Sequence, residues 1–164
     1  MNKFDSPKKA KFLASIASLS LESEASDLTI RCKFNFSYFC SQKPNSQDFC
    51  DWTSQNVLKL IEKLKEFCKS SLSYWMSQPS GGGTVLAIYG SFPAGSDMTH
   101  PAHVPTDVSW GRFRIDQSTR LCGFIIPGKL QGKTHSQTSS VFDGNTFYIV
   151  FLDKNHKFYK TEKK

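Results

Sequence analysis

The feature that most constrains the fold is an apolar stripe in the middle of the chain. Hydrophobic residues recur there at spacings of three and four, the period of one helix face, while lysines and glutamates fill the opposite face. The stripe consists of Val57, Leu60, Ile61, Leu64, Phe67, Cys68, Leu72 and Trp75. With Thr53 or Asp51 as its cap, it predicts one long amphipathic helix over residues 53–77. Covering a sheet is the ordinary role of such a helix, and docking a partner helix is the alternative.

The second pattern is a strict alternation of apolar and polar residues over positions 28–38. A period of two predicts a strand with one buried face and one solvated face. Further strands are predicted at 84–89, 108–115, 120–126 and 147–152. The last of these is an unbroken apolar run, which is typical of a central strand that is buried on both faces.

These elements predict an α+β fold, a mainly antiparallel sheet of about five strands packed against the long helix. Ser6 and Pro7 suit the start of a shorter N-terminal helix over residues 8–21. We expect a single domain over 1–164, with residues 154–164 as a mobile basic tail. The predicted shared core is Phe34, Phe36, Leu60, Ile61, Leu64, Phe67, Ile125, Ile149 and Phe151.

Charge and cysteine content limit the partners and the compartment. The chain has 21 basic and 14 acidic residues, a formal net charge of +7, which favours a polyanion such as RNA as partner. Serving solubility alone is the alternative. The five cysteines include no C-x-x-C pair, which favours free thiols in a reducing compartment, with a Cys40–Cys50 disulfide as the alternative. No apolar run is long enough for a leader or a membrane span, so we expect a cytoplasmic protein without membrane contact.

A predicted hairpin carries the first candidate site. Two arginines separated by one residue leave the same face of its first strand, and a third arginine enters the second strand across the turn. One guanidinium group can donate hydrogen bonds to two phosphate oxygens at once, and an indole can stack on an unpaired base. On the alternative interpretation these arginines pair with Asp107 or Asp116 on a solvated face. The candidate nucleic-acid-binding residues are Trp110, Arg112, Arg114, Arg120, Lys154 and Lys157.

The C-terminal segment carries the second candidate site, with His156 and Tyr159 as catalytic candidates. RNA supplies its own nucleophile, the 2′-hydroxyl, so that cleavage requires only a base, an acid and a cationic clamp. A turn followed by a disordered basic tail is the alternative. In its residue types the segment resembles the small messenger-RNA interferase toxins, which set Arg, Lys, Tyr or His on the C-terminal strands of an antiparallel sheet. The resemblance implies metal-independent endoribonuclease activity, and it covers the C-terminal part of the chain without a shared motif.

The third candidate is the pair His100 and His103, with Asp97 and Asp107 nearby. Prolines interrupt this segment, so its spacing does not hold ligands on one face as a zinc helix would. We therefore predict no metal and no cofactor. The sequence favours a nucleic-acid-binding domain, for RNA above all, with metal-independent endoribonuclease activity as an extension. The alternatives are a protein-interaction module or small subunit of a larger cytoplasmic complex, and third a metal-dependent hydrolase at these histidines. The sequence leaves open whether the protein is an enzyme.

Overall fold

A computed structural model describes residues 6–15, 20–23 and 26–160 of the chain. The described part is a mixed α+β fold with few helices. Its helices and strands are α1 Pro7–Ser15, β1 Lys33–Asn35, α2 Ser54–Phe67, α3 Leu72–Ser77, β2 Pro79–Ser80, β3 Gly83–Thr84, β4 Leu86–Gly90, β5 Ser109–Arg114, β6 Arg120–Ile125 and β7 Thr146–Asp153. No helix within these residues combines the length and apolarity needed to cross a membrane.

The main sheet has five strands in the order β1-β7-β6-β5-β4. Strands β4 to β7 form an antiparallel meander, and β1 pairs with β7 in parallel, with Lys33 opposite Thr146. The sheet is therefore mixed, with three antiparallel pairings as expected and one parallel pairing at its β1 edge. A separate two-stranded hairpin, β2–β3, precedes β4.

The predicted long helix is interrupted, which corrects the sequence interpretation. Thr53 caps α2 as expected, but α2 ends at Phe67 and α3 begins after a second cap, Ser71, whose hydroxyl accepts from the backbone N–H of Tyr74. The interruption frees the Phe67 carbonyl, which accepts hydrogen bonds from the Trp75 indole at 2.7 Å and the Cys32 thiol at 3.2 Å. A serine side chain competes with a helix for backbone hydrogen bonds, and here Ser71 caps the start of a new helix.

The 28–38 alternation yields only the three-residue strand β1, which is the second correction. The carbonyl of Asp27 accepts from the N–H groups of Ile30 and Arg31, so residues 28–30 form a turn. Leu28 and Ile30 are consequently exposed. Alternation describes which residues suit a half-buried strand, but a strand also needs a neighbour, and β7 pairs with residues 33–35 alone.

The core is divided between the two faces of the sheet. On one face, Leu60, Leu64 and Phe67 of α2 belong to the cluster that contains Phe113 and Phe147. On the other face, the segments after β4 and β7 cover a second aromatic cluster, made of Met98, Val104, Trp110, Cys122, Phe124, Val150, Phe151 and Phe158.

Three members of the predicted shared core are placed differently. Phe151 lies in the second cluster, while Phe36 and Ile61 are 40% and 45% exposed. Phe36 follows the end of β1, and Ile61 lies on the outer side of α2. Of the N-terminal helix predicted over 8–21, the structure has Pro7–Ser15, and residues 16–19 of that prediction lie outside the described residues.

Candidate functional site

A cavity of about 800 Å³ opens on the sheet face opposite α2. Strand alternation places it there, because Phe113 points into the core beneath α2 while its neighbours Arg112 and Arg114 point the other way. Arg120 of β6 lies directly opposite Arg114 of β5 in the strand register, so its side chain is on the same face of the sheet. We call these three side chains the arginine cluster; all of them line the cavity.

None of the arginine cluster forms an ion pair within the described part of the chain. Arg112 donates to the Tyr89 hydroxyl at 3.1 Å and to the Thr84 carbonyl at 3.2 Å. Arg120 donates to the carbonyls of Asp116, Gln117 and Thr119. These partners are neutral, so the three charges are left without a counter-charge bound to them.

The arginine cluster forms no ion pair with Asp107 or Asp116, which was the alternative interpretation of the sequence. The Asp116 carboxylate instead pairs with Lys59 at 2.8 Å. Burial, and then the like charges of Arg112 and Arg114, lower the pKa of Arg120. Asp116 opposes this shift, and Asp153 also lines the cavity, but neither carboxylate forms an ion pair with the arginine cluster, so an anionic ligand would stabilise the three like charges.

A buried carboxylate organises the turn beside the arginine cluster. Asp153, 1% exposed, accepts hydrogen bonds from the backbone N–H groups of Asn155, Lys157 and Phe158. This turn carries His156 at a φ of 56°, in the left-handed region that is uncommon for residues other than glycine. The ring Nε2 of His156 lies 3.0 Å from the Gln117 carbonyl. Since a carbonyl only accepts, Nε2 carries the hydrogen, and Nδ1 keeps the lone pair in the neutral ring.

Two tyrosines form the aromatic wall of the cavity. The rings of Tyr89 and Tyr159 stack with centroids 4.3 Å apart and an interplanar angle of 3°. Tyr89 is partly buried, and burial raises its pKa, although Arg112 acts in the opposite direction. Tyr159 is 44% exposed, so part of its ring remains accessible. Sequence reasoning identified Tyr159 and missed Tyr89, which belongs to a different predicted strand.

The three lysines of the C-terminal segment differ in placement. Lys160, which sequence reasoning had not selected, lines the cavity and bonds to the Asp97 carboxylate. Lys157 pairs with the same carboxylate at 3.2 Å. Lys154 lies elsewhere, at a smaller cavity of about 200 Å³ that also includes Trp52. The predicted cationic surface is thus only partly assembled at one place.

Trp110 was expected to be a stacking platform, but it is 1% exposed and lies in the second aromatic cluster. Its ring packs against Phe92 and Phe158, which come from distant segments. Trp110 lies on the same face of β5 as the arginines, as predicted, but these other segments of the chain cover it. Trp110 therefore supports the floor of the site and presents no free face to a base.

The predicted mobile tail is folded as far as the structure describes it. Phe158 is buried in the second cluster, and the backbone N–H of Lys154 bonds to the Gln47 side chain. Residues 161–164 of that prediction lie outside the described residues.

Cys122 lies at the floor of the cavity, beneath the arginine cluster. Burial raises its pKa well above that of an exposed thiol, even though Arg112 and Arg120 act to lower it. A thiol that stays protonated is a poor nucleophile. The cavity therefore offers proton transfer and charge stabilisation, and not thiolate chemistry.

The histidine pair of the third candidate is engaged locally. His103 stacks on Tyr38 and its Nε2 lies 3.1 Å from the Tyr38 carbonyl, while the His100 ring packs against Phe92 and Trp110. Across the described ranges, no group of three or more His, Cys, Asp or Glu residues has the arrangement to hold a metal ion.

With this geometry in view, we compared the chain with known proteins. It matches no protein-family model, no curated protein and no solved structure. The chemistry of the cavity is therefore the only guide to what the described part of the chain does.

Proposed function

We propose that this protein binds single-stranded RNA in the cavity of the arginine cluster. The observation that carries the proposal is three guanidinium groups on one sheet face without a paired carboxylate, beside a half-exposed tyrosine. Guanidinium groups match phosphate oxygens in geometry and charge, and an aromatic ring can stack on any base. An unpaired strand fits better than a duplex, because a base must leave its stack to reach Tyr159.

As an extension, the site has the groups for metal-independent cleavage. The Nδ1 of His156 takes the proton of a 2′-hydroxyl, and the 2′-oxygen forms a bond to the adjacent phosphorus. The bond from phosphorus to the 5′-oxygen breaks as the Tyr159 hydroxyl gives that oxygen a proton. The products are a 2′,3′-cyclic phosphate and a 5′-hydroxyl, and the arginine cluster stabilises the charge that develops on phosphorus.

The proposal includes a reducing compartment such as the cytoplasm. All five cysteines are free, and two of them, Cys32 and Cys122, are buried. Burial raises the pKa of Cys32 to about 12, so this thiol stays protonated at neutral pH. Free thiols of this kind are typical of reducing compartments.

The binding experiment compares two charge-matched double variants. Arg112→Ala with Arg114→Ala removes two charges from the cavity, while Lys63→Ala with Lys65→Ala removes two from the exposed face of α2, across the sheet. We expect wild-type protein to bind a labelled single-stranded RNA with an affinity that falls as salt rises. The arginine variant should bind at least about tenfold more weakly and the lysine variant much like wild type. Equal losses would mean that net charge, and not the cavity, attracts RNA.

Absence of RNA binding at low salt would overturn the proposal. In that case, copurification of a protein whose association is insensitive to salt would favour the protein-interaction alternative. The two results differ because counterion release makes only the nucleic-acid complex steeply salt-dependent.

Cleavage is tested separately from binding. His156→Ala should abolish release of 2′,3′-cyclic phosphate ends while retaining RNA binding, and EDTA should leave the wild-type activity unchanged. His103→Ala is the matched control, since that ring is bonded to the Tyr38 carbonyl away from the cavity. Activity that disappears in EDTA would instead favour the metal-dependent alternative.

A further inference from the structure

Within the arginine cluster we infer a division of labour: Arg114 makes the direct phosphate contact, and Gly81 is the residue that positions it. The inference rests on the proposed function. Arg112 and Arg120 already donate to neutral oxygens of the protein. Arg114 lines the cavity, yet its guanidinium has no hydrogen-bond partner among the residues that the structure describes.

An unpartnered guanidinium needs another means of being held in place. Its Nε is shielded from solvent without a partner, which costs free energy, and an anion bound by the two terminal nitrogens would offset that cost. Arg114 therefore has the largest number of free donors of the three. A phosphate, with oxygens that can accept two N–H groups at once, is the ligand that matches them.

The tip of the β2–β3 hairpin lies against this guanidinium. Gly81, at a φ of 60°, occupies the two-residue turn between Ser80 and Gly83. A Cβ at position 81 would overlap Nη1 of Arg114 and lie 3.4 Å from its Cζ. A side chain at position 81 would have to displace the guanidinium, so the glycine leaves the room that Arg114 needs to lie against the hairpin tip.

Two other glycines, one in the same turn and one elsewhere in the chain, separate the effect on Arg114 from a change in the turn and from backbone strain. Gly82 is in the same turn, but a Cβ there would meet nothing within 4 Å. Gly132 has a φ of 72°, so that it shares the backbone strain of a substitution at Gly81, and it too has open space. Gly82→Ala therefore controls for a change in the turn, and Gly132→Ala controls for strain at positive φ.

The test measures anisotropy of a short fluorescein-labelled single-stranded RNA with the full chain. Arg114→Ala and Gly81→Ala should each weaken binding about tenfold to a hundredfold, and each should lower the slope of log affinity against log salt by about 0.7, the loss of one phosphate contact. Gly82→Ala and Gly132→Ala should bind like wild type. The double variant Gly81→Ala with Arg114→Ala should bind no more weakly than Arg114→Ala alone.

Each contrary outcome has a defined meaning. Wild-type binding that Arg114→Ala leaves unchanged overturns this inference and leaves the proposed function standing. Further weakening by Gly81→Ala in the Arg114→Ala background shows that the glycine acts otherwise than through the arginine. Failure of the wild-type protein to bind RNA removes the proposed function and this inference together. Thermal unfolding of every variant, with Gly132→Ala as reference, separates lost positioning from lost folding.

Discussion

Strands β5 and β6 contribute different chemistry to the two faces of one sheet. Toward α2 they present Phe113 and Leu121, both fully buried among apolar side chains. Toward the opposite face, adjacent positions present arginines whose partners are neutral oxygens or absent. The first face has the composition of a core that maximises apolar burial, while the second retains charge at a site where solvation is reduced. Apolar packing in the first stabilises the frame on which the second depends.

The largest expected difference between the faces is in stability. Phe113→Ala should lower the free energy of unfolding by about 3–5 kcal/mol, because the ring contacts Phe34, Phe67 and Phe147 and leaves a cavity. Arg114→Ala, one residue along on the other face, should lower it by no more than about 0.5 kcal/mol, because the side chain makes no hydrogen bond to any described residue. Urea denaturation measures both. Similar losses for the two variants would mean that the charged face is structural as well.

A smaller effect is expected where the charged face meets the C-terminal turn. Asp153→Ala leaves three backbone N–H groups without their acceptor and should cost about 1–3 kcal/mol. Amide hydrogen exchange at residues 155–158 should accelerate, since that turn loses its anchor. Asp107→Ala, at an exposed position, is the control and should leave stability and exchange unchanged. Unchanged exchange at 155–158 would show that Asp153 does not organise the turn.

The smallest effect concerns the thiol beneath the arginine cluster. Burial raises the pKa of Cys122, so iodoacetamide should label the exposed Cys50 in the folded protein and Cys122 only after unfolding. The folded state holds the thiol proton more tightly than the unfolded state. The contribution of the Cys122 thiol to stability is therefore complete below about pH 8.5, the usual pKa of a thiol in the unfolded chain, and is lost as pH rises above that value. Native-state labelling of Cys122 near neutral pH would mean that the arginines outweigh burial.

Local patterns in the sequence predicted the elements that local physics determines. The alternation around Arg112 and Arg114 correctly predicted that both lie on one face, because strand geometry alone fixes this. The apolar run before Asp153 likewise predicted the strand that became β7. The helix prediction located the core residues Leu60 and Leu64, but the weak cue of consecutive serines before Leu72 did not reveal the break.

The remaining features depend on contacts between distant segments. Trp110 is buried because Phe92 and Phe158 cover it, and no pattern near residue 110 indicates that. Tyr89 and Gly81 become part of the site only when the hairpin and β4 lie beside β5. Asp153 offered one usable cue, an acidic residue directly after a buried strand and before a polar turn.

The parallel pairing of β1 with β7 has a consequence for the order of folding. Lys33 meets Thr146 only after most of the chain has been enclosed in a loop, whereas β4 to β7 join near neighbours. The entropy lost on closing a loop grows with its length, and contacts between remote residues slow folding. We expect the meander, and with it the arginine cluster, to be assembled before β1 docks at its edge. Pulse-labelling hydrogen exchange would then protect β5 and β6 earlier than residues 33–35.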